Sequence, residues 1–204
     1  MMQAPKLTDI KQIADGWIKK YQVIYERPDG KIQTYDVASR KNFEDFKAEL
    51  LAHGKGEEYK TADAVCIVGQ TQDDKLILIR EFRYPLNSWC VAFPAGLVEN
   101  GEDIISCVNR ELREEAGYAI RKDLGAEAVR IMPQPGYSST GLTDETVQVV
   151  FAQVEKVGEP QLEPAEFIEP FELPIDQVAD FLETNDLPIG MRCQLILEAF
   201  ARRH

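Results

Sequence analysis

Residues 94–118 read PAGLVENGEDIISCVNRELREEAGY. Pro94 and Gly96 permit a tight path, and Asn100-Gly101 is a turn signal. Asp103 is a good helix N-cap. Behind it Ile104, Ile105, Val108, Leu112 and Ala116 recur at helical spacing, and Gly117 is a natural C-terminal stop. At about 100° per residue, Glu111, Glu114 and Glu115 fall on one flank of that helix, beside the apolar stripe. Like charges at this spacing destabilise a helix by a few tenths of a kcal/mol, roughly. Arg110 offsets part of this by pairing with Glu114. A hard divalent cation, Mg²⁺ or Mn²⁺, offsets more, because it takes oxygen ligands. A carbonyl of the glycine-bearing loop could complete its shell.

Three glutamates alone read as a solvated acidic face. The full spacing is more specific: a Gly, four Glu, an Arg and a second Gly are fixed over 22 residues. The stretch resembles the Nudix box, Gly-x5-Glu-x7-Arg-Glu-U-x-Glu-Glu-x-Gly-U, with U bulky and aliphatic. Every polar position matches, and Tyr118 at the last U, a packing position, is the one departure. The resemblance implies an α+β fold, an α/β/α sandwich around a mixed sheet. It implies metal-dependent hydrolysis of the pyrophosphate of a nucleoside diphosphate linked to another group. In that reading the Ala95 carbonyl, Glu111 and Glu115 hold metal, Glu114 bridges or positions water, Arg110 orients the carboxylates and Gly96 lines the substrate site.

The flanks extend the resemblance. Arg80-Glu81-Phe82-Arg83-Tyr84-Pro85 and Phe93-Pro94-Ala95-Gly96-Leu97-Val98-Glu99 are similar to the ADP-ribose pyrophosphatase branch, as are Pro133 and Pro135 beyond the box. Trp17, Asp29-Gly30-Lys31, Thr34-Tyr35-Asp36-Val37 and Arg40 resemble the strands with which that branch dimerises. The branch implies ADP-ribose cleaved to AMP and ribose 5-phosphate, with Pro135 in the substrate loop; Arg83 is a candidate phosphate contact, since a guanidinium can bind phosphate bidentately. It also implies a homodimer in which Trp17 and Tyr35, one from each subunit, stack on adenine while Arg40 contacts substrate. Glu166-Phe167-Ile168-Glu169 resembles the segment that carries the branch's general base, which makes Glu166 the candidate, with Glu163 and Glu145 in reserve. Three departures stand out. Residues 41–60 carry an extra helix, Glu81 stands where Gln is usual, and Ala92 stands where the branch often has a Glu that supports the metal site. The alternatives are another nucleotide sugar, such as ADP-glucose or GDP-mannose, and a non-catalytic nucleotide-binding module. The latter usually lacks box carboxylates or carries a DNA-binding domain.

The remainder of the chain reads as an ordinary soluble protein. Its 204 residues suit one sizeable core, with 44% hydrophobic and 28% charged residues. A net charge of −12 argues against nucleic acid or an anionic membrane as partner. Cys66, Cys90, Cys107 and Cys193 are scattered and read as small buried hydrophobes in a reducing cytoplasm. His53 and His204 form no ligand set. No signal peptide or membrane-length apolar run is visible. Residues 1–15 read as a helical or loose arm, and 17–25 with 31–39 as a hairpin turning at Pro28-Asp29-Gly30. An isolated hairpin is marginal in water and needs a partner surface. Asn42 caps a helix with Phe43, Phe46, Leu50 and Leu51 on one face, ended by Gly54 and Gly56. Strands are expected at 62–69, 75–82, 89–93, 126–132, 146–154 and 167–173, and helices at 176–183 and 189–200. The expected division is 1–60 as a dimerisation element and 61–204 as the hydrolase domain.

Overall fold

The computed structural model describes residues 3–54 and 62–202. Its contacts divide the chain into two compact units: the chain up to Ala62 together with Pro135–Val147, and Asp63–Gln134 together with Gln148 onward. The expected boundary at residue 60, the expected stop at Gly56 and His204 lie outside the described residues.

In the first unit β1 (Lys6–Ala14), β2 (Lys19–Glu26) and β3 (Ile32–Ser39) form an antiparallel sheet in chain order. The expected arm is thus a strand. It was hidden because KLTDIKQIA is exposed at all but two of its positions and so shows no alternation. β2 and β3 turn at Gly30, whose φ of 77° suits glycine. Tyr21 lies opposite Val37, and Val23 opposite Tyr35. The face they share is covered by α1 (Phe43–Gly54), whose Phe46 stacks on Tyr21 with ring centroids 4.2 Å apart. Asn42 caps α1, its Oδ1 accepting from the Asp45 N–H at 2.9 Å. Leu51 faces outward, while Phe43 and Leu50 pack on the cluster. A third strand and a helix therefore give the hairpin its partner surface within its own unit.

The second unit contains β4 (Ala64–Gln70), β5 (Lys75–Arg83), β6 (Ser88–Ala92), β7 (Ala95–Leu97), α2 (Ile104–Glu111), β8 (Tyr118–Ile120) and β9 (Val129–Ile131). The chain then lends β10 (Gly136–Tyr137) to the first unit, where it pairs with Thr146 and Val147. There follow β11 (Thr146–Lys156), β12 (Ile168–Pro174), α3 (Val178–Thr184) and α4 (Met191–Ala201). The fold is α+β on a mixed sheet, with β11, β4, β5 and β12 in that order. β4 and β5 share two registered pairs, Gly69 with Ile77 and Gln70 with Leu76. Further along, β4 pairs with β7 and β5 with β6. The centre of the sheet is buried on both faces, as unbroken apolar runs require. On one face Val65, Ile67 and Ile77 pack with Val108, Leu112, Ala116 and Tyr118 from the box. On the other, Phe171 of β12 meets Phe181 of α3 at 5.9 Å.

The strand expected at 126–132 shrinks to β9, because a 3-10 segment spans Lys122–Ala128 and Gly125 turns it with φ 55°. In the helical stripe Ile105 is turned outward and Cys107 is buried in its place. Tyr118 packs in the core as expected, and its hydroxyl donates to Glu172. All four cysteines are buried and free. Among the described residues no helix is long and apolar enough to cross a membrane.

Candidate active site

The box helix begins as the sequence implies. Asp103 Oδ1 accepts from the N–H groups of Ile105 and Ser106 at 3.0 and 3.1 Å. It does not end as an α-helix. Leu112–Ala116 form a π turn, closed by Gly117 at φ 73°. Wide turns of this kind are frequent at functional sites. Within this turn the three carboxylates differ in exposure: Glu111 and Glu115 are buried, whereas the Glu114 side chain is 41% exposed.

Arg110 is the hub. Its Nε and Nη2 donate to the two oxygens of Glu102, both at 3.0 Å, a bidentate pair. Nη1 reaches Glu111 at 2.6 Å and Glu114 at 3.1 Å, and Nη2 reaches the Leu97 carbonyl at 2.9 Å. The guanidinium holds Glu102 down to a pKa of about 2. Glu115 Oε2 accepts the Ala95 N–H at 2.9 Å. Burial nevertheless pushes Glu115 well above the ordinary carboxylate range; the Ala95 N–H opposes this, and the charges of Glu111, Glu81 and Glu166 add to it. Burial also raises Glu111, against the pull of Arg110.

Whether these residues suit a divalent cation is tested by Gly96. A Cβ there would lie 1.8 Å from Glu111 Oε1, so carboxylate and backbone are pressed together and only glycine leaves room. The donors are hard oxygens, as Mg²⁺ or Mn²⁺ demands. As arranged, Glu111 and Glu114 are turned onto Arg110, and among the described residues no three acidic, histidine or cysteine side chains already enclose an ion. The donor set fits the cation, with Arg110 as its internal counter-charge.

Glu166 is brought to the cluster: its charge acts on Glu81, Glu111 and Glu115. It is exposed, and its carboxylate accepts the Glu163 N–H at 2.9 Å. Arg83 is exposed and pairs with Glu81 at 2.8 Å. In the first unit Arg40 pairs with Glu145 and Pro135 is half-buried. Tyr35 donates its hydroxyl to the Gly141 carbonyl at 2.7 Å. With Val23, Val37, Phe46, Leu50 and Tyr137 it lines a cavity of about 490 Å³. Trp17 is 74% exposed and precedes β2 rather than lying on a strand. Tyr35 stands opposite Val23, four residues beyond Lys19 and so roughly 13 Å along the ladder. One chain does not bring Trp17 and Tyr35 together. Sequence reasoning gave no role to Glu102 as the anchor of Arg110, nor to Glu81. The signal for Glu81 was the strand alternation that places it with Ile77 and Ile79 on the face toward the box.

A family model described as the NUDIX domain matches residues 60–192. The chain is 30% identical over 173 residues to an ADP-ribose pyrophosphatase of Saccharomyces cerevisiae, covering 84% of this chain and 70% of that protein. It is 33% identical over 135 residues to an ADP-ribose pyrophosphatase of Bacillus subtilis, covering 65% and 69%. A crystal structure of an ADP compounds hydrolase matches with a TM-score of 0.72 at 21% identity, over 100% of this chain and 97% of that one, which is a likeness of fold.

Proposed function

The chain belongs to the NUDIX domain family and is a hydrolase of that family, and from that premise we propose that it cleaves the pyrophosphate of a nucleoside diphosphate sugar, ADP-ribose foremost, with Mg²⁺ or Mn²⁺ at the box. The observation that carries this reading is the packing of Glu111 and Glu115 onto the Ala95-Gly96 backbone, which gathers hard oxygen donors beside a buried carboxylate pair. The relatives that act on ADP-ribose support the choice of substrate.

The Ala95 carbonyl, Glu111, Glu115 and Glu114 would hold the cation. When bound it neutralises pyrophosphate charge and lowers the pKa of a water nucleophile. Arg110 fixes Glu111, Glu114 and the Leu97 carbonyl relative to one another. Arg83, on the strand end, offers a guanidinium that can bind phosphate bidentately. Glu166, exposed and beside the cluster, accepts the proton of the attacking water. In a homodimer, Trp17 of one subunit and Tyr35 of the other would close on the adenine, and each stacking face would contribute about 1–3 kcal/mol.

The test is a panel of nucleotide sugars with purified protein and Mg²⁺, following AMP release. ADP-ribose should be cleaved fastest, and Glu115→Gln should lower kcat by about 10²-fold or more. ADP-glucose or GDP-mannose cleaved in its place would keep the reaction and change the substrate. Binding without cleavage of any would overturn the reading.

A further inference from the structure

Glu81 lies on β5, and its neighbours define where it points. Ile77, on the same face of the strand, is part of the cluster under the box helix. Two residues beyond Ile79 that face reaches Glu81, whose side chain is 20% exposed and whose ion-pair partner is Arg83. Glu115, buried against Ala95, carries the influence of the Glu81 charge, and Glu81 that of Glu166. The sheet register adds a second relation. Glu81 is opposite Cys90 and Ile79 is opposite Ala92, so residues 81 and 92 share one face as diagonal neighbours. Such positions are about 7–8 Å apart, within reach of long side chains. At residue 92 this chain has a methyl group, and at residue 81 a carboxylate.

Resting on the metal-dependent reading above, we propose that Glu81 provides a carboxylate that steadies the cation from the sheet, delivered from β5 on the face it shares with Ala92. Glu81 is thus a positioning residue for the metal cluster, either through a bound water or by holding the carboxylates around the ion. The competing role, that Glu81 only tethers Arg83, predicts an effect on substrate and none on metal.

The experiment is Mn²⁺ binding to the full chain without substrate, by calorimetry and by water-proton relaxation. Glu81→Gln should raise the Mn²⁺ Kd about tenfold or more, the usual consequence of losing an outer-shell partner. Adding Ala92→Glu to that variant should recover most of the loss, because the carboxylate returns to the same face. Thermal melts report whether each variant is folded. If Glu81→Gln does not fold, the double variant decides alone: near-wild-type Mn²⁺ affinity upholds the proposal, and affinity about tenfold weaker overturns it. Folded Glu81→Gln with unchanged Mn²⁺ Kd and a raised KM overturns the proposal in favour of the tether. A wild-type chain that binds no Mn²⁺ overturns the metal-dependent reading itself, a failure seen before any variant is made.

Discussion

At the scale of single residues, the buried carboxyl of Glu115 works against the stability of the fold. Its carboxyl is raised above the ordinary value of 4.5, first by burial, with Glu111, Glu81 and Glu166 adding to the effect. A carboxyl with a raised folded-state pKa favours the native state below the unfolded-state value, where it is protonated in both states. That favour is lost as pH climbs through the folded value. In metal-free solution the protein should therefore lose stability above pH 4.5 through this group. Glu115→Gln removes the charge and keeps the shape. Its melting temperature in EDTA at pH 7.5 should exceed that of the wild type by several degrees, at about 2–4 °C per kcal/mol for a chain of this size. The gap should close by about pH 4, below both pKa values. An equal or lower melting temperature at pH 7.5 would mean that the charge is solvated in place. Glu102 runs the other way: held at a pKa of about 2 by Arg110, its contribution is present above the ordinary value of 4.5 and is lost as pH falls from there through about 2.

At the scale of elements, Gly117 is where the box most depends on a single backbone conformation. Its φ is 73°, and a Cβ there would meet the Gly158 carbonyl oxygen at 2.3 Å. The chain turns here into β8, and the Gly117 carbonyl accepts the Val157 N–H at 2.8 Å. Gly117→Ala should cost about 2 kcal/mol or more, the left-handed penalty plus the clash. A chemical-denaturation midpoint indistinguishable from wild type would contradict this. The ends of this element were legible: Asp103 and Gly117 act as the sequence implied. Its middle was not. A period of 3.6 read from Leu112 to Ala116 cannot register one widened turn, so the burial of Glu115 and the exposure of Glu114 came only with coordinates. β1 was illegible for a different reason, since a mostly exposed strand carries no hydrophobic period. Glu81 was visible as a departure from a pattern, but the neighbours it acquires on its face of the sheet depend on long-range strand pairing, which no local window contains.

At the scale of the whole molecule, a net charge of −12 means that an anionic substrate would have to be met by local positive charge against the overall field. Association should therefore quicken as salt rises toward physiological strength, where distant repulsion is screened. The proposed homodimer has its motive in exposed apolar side chains. The first unit supports its own strands with β1 and α1, while Trp17, Ile18 and Ile32 stand exposed on it. Sedimentation should show a dimer at micromolar concentration, and Tyr35→Ala should raise KM for ADP-ribose far more than it lowers kcat. A monomer would remove the shared adenine site. The division into two units also has a consequence for how the chain is made. The first unit is assembled from both ends of a long interval, because Tyr35, Ala38 and Arg40 find Gly141, Leu142 and Glu145 only after the intervening Asp63–Gln134 has been synthesised. At about 5–20 residues per second those 72 residues take roughly 4–15 s. The strands made before that interval must wait at least that long, unfinished, for the loop that completes their unit.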